Sequence, residues 1–299
     1  MKLYLGIPRG FCAGVVRAID VVELALKRFG PPVYVKHQIV HNPHVVKSLE
    51  NDGVLTVEDV DDIPEKSTVV FSAHGSPPED FEKAKYRNLH IIDATCPLVT
   101  KVHNEAHRYV AQNRKLILIG HRGHQEVKGT MGQRDMYLVD DRTEITLPDW
   151  EPDTPVTILT QTTLSVEDTN RSIDKIRSRF KDVIVRNDLC YATTNRQSAV
   201  KELCRLSDVI LVIGATNSSN CNRLREVAEN QGVPAYLVNN PEEIQESWIE
   251  GVAGLGIISG ASTPESLVQA VIDSINAEEI VPVKGAEEDI TFVLPQEFR

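Results

Sequence analysis

Apolar residues in this chain fall into short continuous runs, separated by stretches with the three- and four-residue spacing of an amphipathic helix. Such runs read as strands buried on both faces, and their alternation with helices predicts an α/β fold with parallel-type sheets. In that class the functional side chains stand at the carboxyl ends of the strands. The alternation also repeats. A helix over Val15, Ile19, Val22 and Leu26 begins beside Cys12. Another over Val99, Val102, Ala106 and Val110 begins beside Cys96, and a third over Ala199, Leu203 and Leu206 begins beside Cys190. A strand follows each helix (33–35, 116–119 and 209–213), then a polar loop with a helix, and a second strand (54–57, 136–139 and 235–238). Acidic, proline-containing connectors lead to a third strand (69–73, 156–160 and 255–259).

Self-similarity of this kind predicts three pseudo-equivalent α/β domains. The first spans residues 13–95 and the second 96–189, each ending in a strand (91–92 and 183–185) that runs into the next cysteine. The third, residues 190–280, shows no matching strand at its end. Residues 1–12, with Leu3, Tyr4 and Leu5, are therefore assigned to it, which closes a ring around one central cavity. Residues 281–299, with Ile290, Thr291, Phe292 and Val293, read as an extra strand or a C-terminal strap.

Composition narrows the partners. The chain has 299 residues, 41% hydrophobic and 25% charged, with a formal net charge of −11 and no block of lysine and arginine. A nucleic-acid surface needs a clustered basic footprint, so that class is excluded. No apolar run reaches the roughly 20 residues of a membrane span. The first cysteine motif comes by residue 12 and leaves no room for a targeting segment, so a cytoplasmic protein is expected. Five cysteines, an odd number, argue against a disulfide framework and leave metal binding, nucleophilic catalysis or burial.

Cys12, Cys96 and Cys190 share one position, the corner between a strand and a helix, where the helix N-terminus favours a thiolate. A nucleophile needs one cysteine; three equivalent ones favour a soft metal or an iron–sulfur cluster. A structural zinc would want a fourth ligand and the local Cys-x-x-Cys clamp that this chain lacks. Cys204 falls on a helix face and reads as core filler, while Cys221 stays open. The loops after the first strands bring His41, His124 and the run Ser218, Ser219, Asn220; those after the third strands bring His74, Thr162 and Ser262. Histidine, hydroxyl and amide groups beside helix N-termini suit a phosphate-type anion. Glu126, two residues beyond His124, is the one carboxylate within these loops and the natural proton donor.

At these residues the chain closely resembles the LytB-type 4-hydroxy-3-methylbut-2-enyl diphosphate reductases of the non-mevalonate isoprenoid pathway. The shared stretches run end to end: residues 8–14, His41-Asn-Pro, 72–75, 93–102, 123–127, 129–133, 160–166, 190–197, 217–220 and 260–262. The resemblance implies a monomer of three α/β domains around a [4Fe–4S] cluster held by Cys12, Cys96 and Cys190. It implies reductive loss of the hydroxyl of an allylic diphosphate, giving isopentenyl and dimethylallyl diphosphates, with electrons from a ferredoxin or flavodoxin. It also implies that the open iron binds the substrate hydroxyl, with Thr162 nearby and Glu126 and His124 supplying protons. His41, His74, His124, Ser218, Ser219, Asn220 and Ser262 would hold the diphosphate. Two positions depart from the family pattern: Thr216, where lysine is commoner, and Cys221, where serine or threonine is, and Cys221 is expected to point away from the site. Two other classes compete. A zinc hydrolase using His124 and Glu126 would be colourless and redox-inert. A binding protein that has lost its chemistry would hold diphosphate without turnover.

Overall fold

A computed structural model describes residues 1–299, arranged as three parallel sheets and ten α-helices. In chain order the elements are β1 (Lys2–Ile7), α1 (Ala13–Phe29), β2 (Val33–Lys36), α2 (Pro43–Asn51), β3 (Val54–Val57), β4 (Thr68–Phe71), α3 (Pro78–Tyr86) and β5 (His90–Asp93). Then come α4 (Pro97–Val110), β6 (Lys115–Ile119), α5 (Gln125–Met131), β7 (Tyr137–Val139), β8 (Val156–Thr160), α6 (Val166–Arg179) and β9 (Val183–Val185). The last set is α7 (Tyr191–Cys204), β10 (Val209–Ile213), α8 (Ser219–Asn230), β11 (Ala235–Val238), α9 (Glu246–Ile249), β12 (Gly254–Ser259), α10 (Glu265–Ser274) and β13 (Glu279–Lys284).

Packing divides the chain into two compact units. One contains Met1–Val15, His41–Val45 and Cys190–Thr291; its sheet has the order β11-β10-β12-β1-β13. Every residue of β10 and β12 is buried, as continuous apolar runs require of central parallel strands. Alternate side chains serve the two faces. Val209, Leu211 and Ile213 pack with Leu3, Leu255, Ile257 and α10, whereas Ile210 and Val212 pack with Ile258 and residues of α7 and α8.

The other unit contains Val16–Val40, Val46–Leu189 and Phe292–Arg299, with two four-stranded sheets ordered β3-β2-β4-β5 and β7-β6-β8-β9. In β6, Leu116 and Leu118 meet Val102, Ala106 and Tyr109 of α4, while Ile117 and Ile119 meet Ile173 and Ile176 of α6. Helix ends follow local chemistry: Pro97 opens α4, and Ser165 caps α6 by accepting from Asp168 N–H at 3.2 Å.

Two expectations need correction. The third sheet does have a strand at its carboxyl end, because β13 pairs in parallel with β1, Lys2 opposite Glu279 and Ile7 opposite Lys284. Leu3 to Leu5 pair on their other side with Leu255 to Ile257. The boundary at 280/281 cuts through β13, and residues 290–293, read as an extra strand or strap, join no sheet. Pro282 explains why β13 was unreadable: it cannot donate to a ladder and is tolerated only on an edge strand, which β13 is.

Candidate active site

Each of the three singled-out cysteines is the residue immediately before a helix: Cys12 before α1, Cys96 before α4 and Cys190 before α7. All three are partly exposed and none is in a disulfide. Cys190 is the N-cap of α7, its sulfur accepting from Thr193 N–H at 3.3 Å with Thr193 Oγ1 at 3.0 Å. Donors aimed at sulfur beside a helix N-terminus suit a thiolate, so the donor set fits an iron–sulfur cluster. Cys204 and Cys221 fit another role. Burial pushes the Cys204 thiol up to about 11 and also raises that of fully buried Cys221, which packs with Ala199, Ile210 and Leu224. A Cβ on either Gly214 or Gly260 would strike the Cys221 sulfur, so this thiol is a fitted piece of core.

In the first unit, the loops after β10 and β12 assemble a polar cluster. Ser218 is the N-cap of α8, accepting from Cys221 N–H, and Ser219 opens the helix. Asn220 Oδ1 accepts from Ala261 N–H at 3.1 Å, while its amide nitrogen, Nδ2, is buried without a hydrogen-bond partner. A buried orphan donor costs about 1–3 kcal/mol, and an anionic oxygen would satisfy it. Ser262 donates to the carbonyl of His41 at 3.1 Å, which places His41 in the same cluster. Cys12 N–H donates to Ala261 O at 3.0 Å, so the thiol-bearing corner and the Ser262 loop are directly joined.

In the second unit, the loops after β4, β6 and β8 bring together His74, His124, Glu126 and Thr162. The rings of His74 and His124 meet edge to face with centroids 6.1 Å apart. Gly75 has φ +79°, and a Cβ there would come within 2.8 Å of His103 Cε1, so only glycine makes the turn after His74. His124 is the N-cap of α5, its Nδ1 accepting from Glu126 N–H at 3.2 Å, which leaves the proton of the neutral ring on Nε2. Glu126 is only 4% exposed. Its Oε1 accepts from Thr162 N–H at 2.6 Å and its Oε2 from Thr162 Oγ1 at 2.9 Å. Burial pushes the carboxyl up to about 7, against the pull of the two Thr162 donors.

The sequence from residue 3 to residue 276 matches the family described as LytB protein. The chain belongs to the LytB family. Among its relatives, a protein of Bradyrhizobium diazoefficiens named 4-hydroxy-3-methylbut-2-enyl diphosphate reductase 2 is 51% identical, over 99% of each chain. One of Alcanivorax borkumensis named 4-hydroxy-3-methylbut-2-enyl diphosphate reductase is 48% identical over the whole of both chains. The solved E-1-hydroxy-2-methyl-but-2-enyl-4-diphosphate reductase of Plasmodium falciparum superposes with a TM-score of 0.94 at 37% identity, covering 99% of this chain and 96% of that one.

Within this LytB-family chain, several site residues were not singled out by sequence reasoning. Arg196, fully buried on α7, donates to Gly10 O at 2.8 Å and to Glu288 at 2.9 Å, so it holds the loop before Cys12. Tyr191 accepts from Ala13 N–H at 3.0 Å on the same corner. Asp188, buried beside Lys101 at 3.1 Å, lends its negative charge to the upward shift of Glu126. The only signal for Arg196 was its place in the stretch 190–197. Thr216 is exposed, and its carbonyl accepts from Asn222 at 2.7 Å. No three His, Cys, Asp or Glu side chains converge as ligands of a single metal ion.

Proposed function

We propose that the chain reduces (E)-4-hydroxy-3-methylbut-2-enyl diphosphate, cleaving the allylic C–O bond with two electrons and two protons to release water and isopentenyl or dimethylallyl diphosphate. The observation that carries the reading is the buried Glu126–Thr162 pair in a chain of this family. Cys12, Cys96 and Cys190 would hold a [4Fe–4S] cluster. When bound, such a cluster passes electrons one at a time and offers an open iron as a Lewis acid for the substrate oxygen. Everything else is work for side chains. His41, Ser218, Ser219, Asn220 and Ser262 bind the diphosphate, with His74 and His124 as further donors; the orphan Nδ2 of Asn220 is satisfied on binding.

Glu126 holds the proton. A carboxyl at about 7 is half protonated near neutrality, which balances proton availability against transfer. Thr162 makes the transfer reversible at one atom: its hydroxyl donates to the carboxylate, and it accepts instead once Glu126 carries the proton. The three-domain reading (13–95, 96–189, and 1–12 with 190–280) is proposed alongside, with one sheet to a domain and each cysteine immediately before the first helix of a repeat. A monomer in the cytoplasm, fed by a reduced ferredoxin or flavodoxin, completes the proposal; no helix is long and apolar enough to cross a membrane.

Anaerobic purification followed by iron, sulfide and turnover assays tests this directly. Brown protein that consumes the allylic diphosphate with a one-electron reductant is expected. Colourless, zinc-loaded protein that leaves this substrate intact would favour the hydrolase instead, and iron-loaded protein that binds diphosphate without turnover would favour a binding role.

A further inference from the structure

The corner that presents Cys96 is built from backbone, and its polar groups can be accounted for one by one. The N–H groups of Ala94 and Cys96 donate to Phe71 O and Ala73 O, each at 3.0 Å, at the end of β4. Thr95 N–H donates to Asp93 Oδ1 at 2.9 Å, and Cys96 O accepts from Thr100 N–H at 2.9 Å in the first turn of α4. Two carbonyls remain, those of Ala94 and Thr95. Both accept from the same nitrogen of Arg17, Nη1, at 3.2 and 3.0 Å. The Nε–H of Arg17 donates to Val293 O at 2.9 Å, which ties residues 292–299 to the same guanidinium.

Ala94 is fully buried and Thr95 is 7% exposed. Without Arg17 their carbonyls would lose their only side-chain donor at the edge of a groove lined by Asp93, Thr95, Pro97 and Thr100, and the corner would lose its tie to α1. All three bonds of Arg17 go to carbonyl oxygens and none to a carboxylate. Its Nη1 is hydrogen-bonded to the carbonyl of Thr95, the residue before Cys96, and the Asp93 carboxylate acts on the same guanidinium. A lysine cannot take over this arrangement, because one ammonium is a point charge and the guanidinium is a planar fork with donors on separate nitrogens.

We propose that Arg17 is a positioning residue for Cys96: it locks the corner that presents the sulfur and keeps a fixed positive charge beside it. The proposal rests on the reading of Cys96 as a cluster ligand. Its consequence is twofold. The fork should govern how long a cluster stays bound, and the charge should favour the reduced state of that cluster.

Wild type, Arg17→Lys and Arg17→Gln are reconstituted anaerobically and compared by iron and sulfide content. The rate of cluster loss to a chelator and the midpoint potential from EPR-monitored titration are then measured. Arg17→Gln is expected to lose its cluster about tenfold faster, and to shift the reduction equilibrium about tenfold toward the oxidised form, which is about 59 mV for a one-electron couple. Arg17→Lys is expected to lose cluster faster but to keep a potential near wild type, since the charge survives and the fork does not. Should Arg17→Gln fail to fold, the Lys variant still decides the positioning role by its rate of loss. Variants that hold the cluster as long as wild type, at the same potential, overturn the proposal. A lower melting temperature of the cluster-free variants with loss rate and potential unmoved also overturns it, since Arg17 would then be only a structural tie. A wild-type chain that takes up no iron would instead overturn the parent reading, and this proposal with it.

Discussion

Glu126 sits where burial and hydrogen bonding pull its proton in opposite directions. Burial wins, so the carboxyl titrates at about 7 instead of near 4.5. As proton donor it should be competent below that value, and kcat is expected to fall as pH rises through about 7 in a pH-rate profile. Glu126→Gln should keep the iron and sulfide content of wild type while cutting turnover by about 10²–10⁴-fold, the usual worth of a direct acid. The same shift affects stability. A carboxyl whose folded pKa is raised contributes fully below its unfolded pKa and loses that contribution as pH climbs through the folded value. Cluster-free wild type should therefore lose stability between about pH 4.5 and 7 by an amount that Glu126→Gln does not lose, as urea denaturation at both pH values would show. At this scale the proposed acid–base and anion-binding groups could be singled out because each follows a strand. Arg17 was not: an arginine on an amphipathic helix reads as solvent-facing, and nothing local announces that two carbonyls more than 70 residues away will need it.

Among the elements, helices and central strands were readable and the edges were not. Strands β8, β10 and β12 are buried along their whole length and stood out as apolar runs. Strand β13 mixes glutamate, proline and lysine with its valines and exposes most of them, which is what an edge position permits. Strand β1 was assigned to the third sheet because that unit reads as lacking a terminal strand. Strand β13 removes the reason but not the placement, since β1 pairs with β12 and Leu3 is fully buried in the core that contains Leu255, Ile257 and Val271. Leu3→Ala should cost about 2–5 kcal/mol through lost burial and the cavity left behind. A calorimetric melting temperature no lower than wild type would show that β1 is dispensable to that core.

For the whole molecule, the distribution of cores decides what a cofactor can do for stability. The first four-stranded sheet has a cluster around Val69 and Phe71, the second has one on each face, and the five-stranded sheet has two of its own. Secondary structure is therefore expected to form without any group bound to the thiols. Removing the cluster with a chelator should abolish turnover and lower the melting temperature by the lost binding linkage. The far-UV circular dichroism should stay as it was; collapse of that signal would mean that the cluster is needed for folding.

The place of β1 also carries a consequence for how the protein is made. Lys2 to Leu5 lie between β12 and β13, which are translated after β10 and β11. Domains generally fold as they emerge, but β1 has to wait unpaired until β12 and β13 have been made. Cys12, five residues beyond Ile7, waits with it. Iron delivery to the proposed set of thiols would then follow synthesis of β12 and β13, and a ribosome stalled before residue 254 would hold a nascent chain whose strand β1 has nowhere to dock.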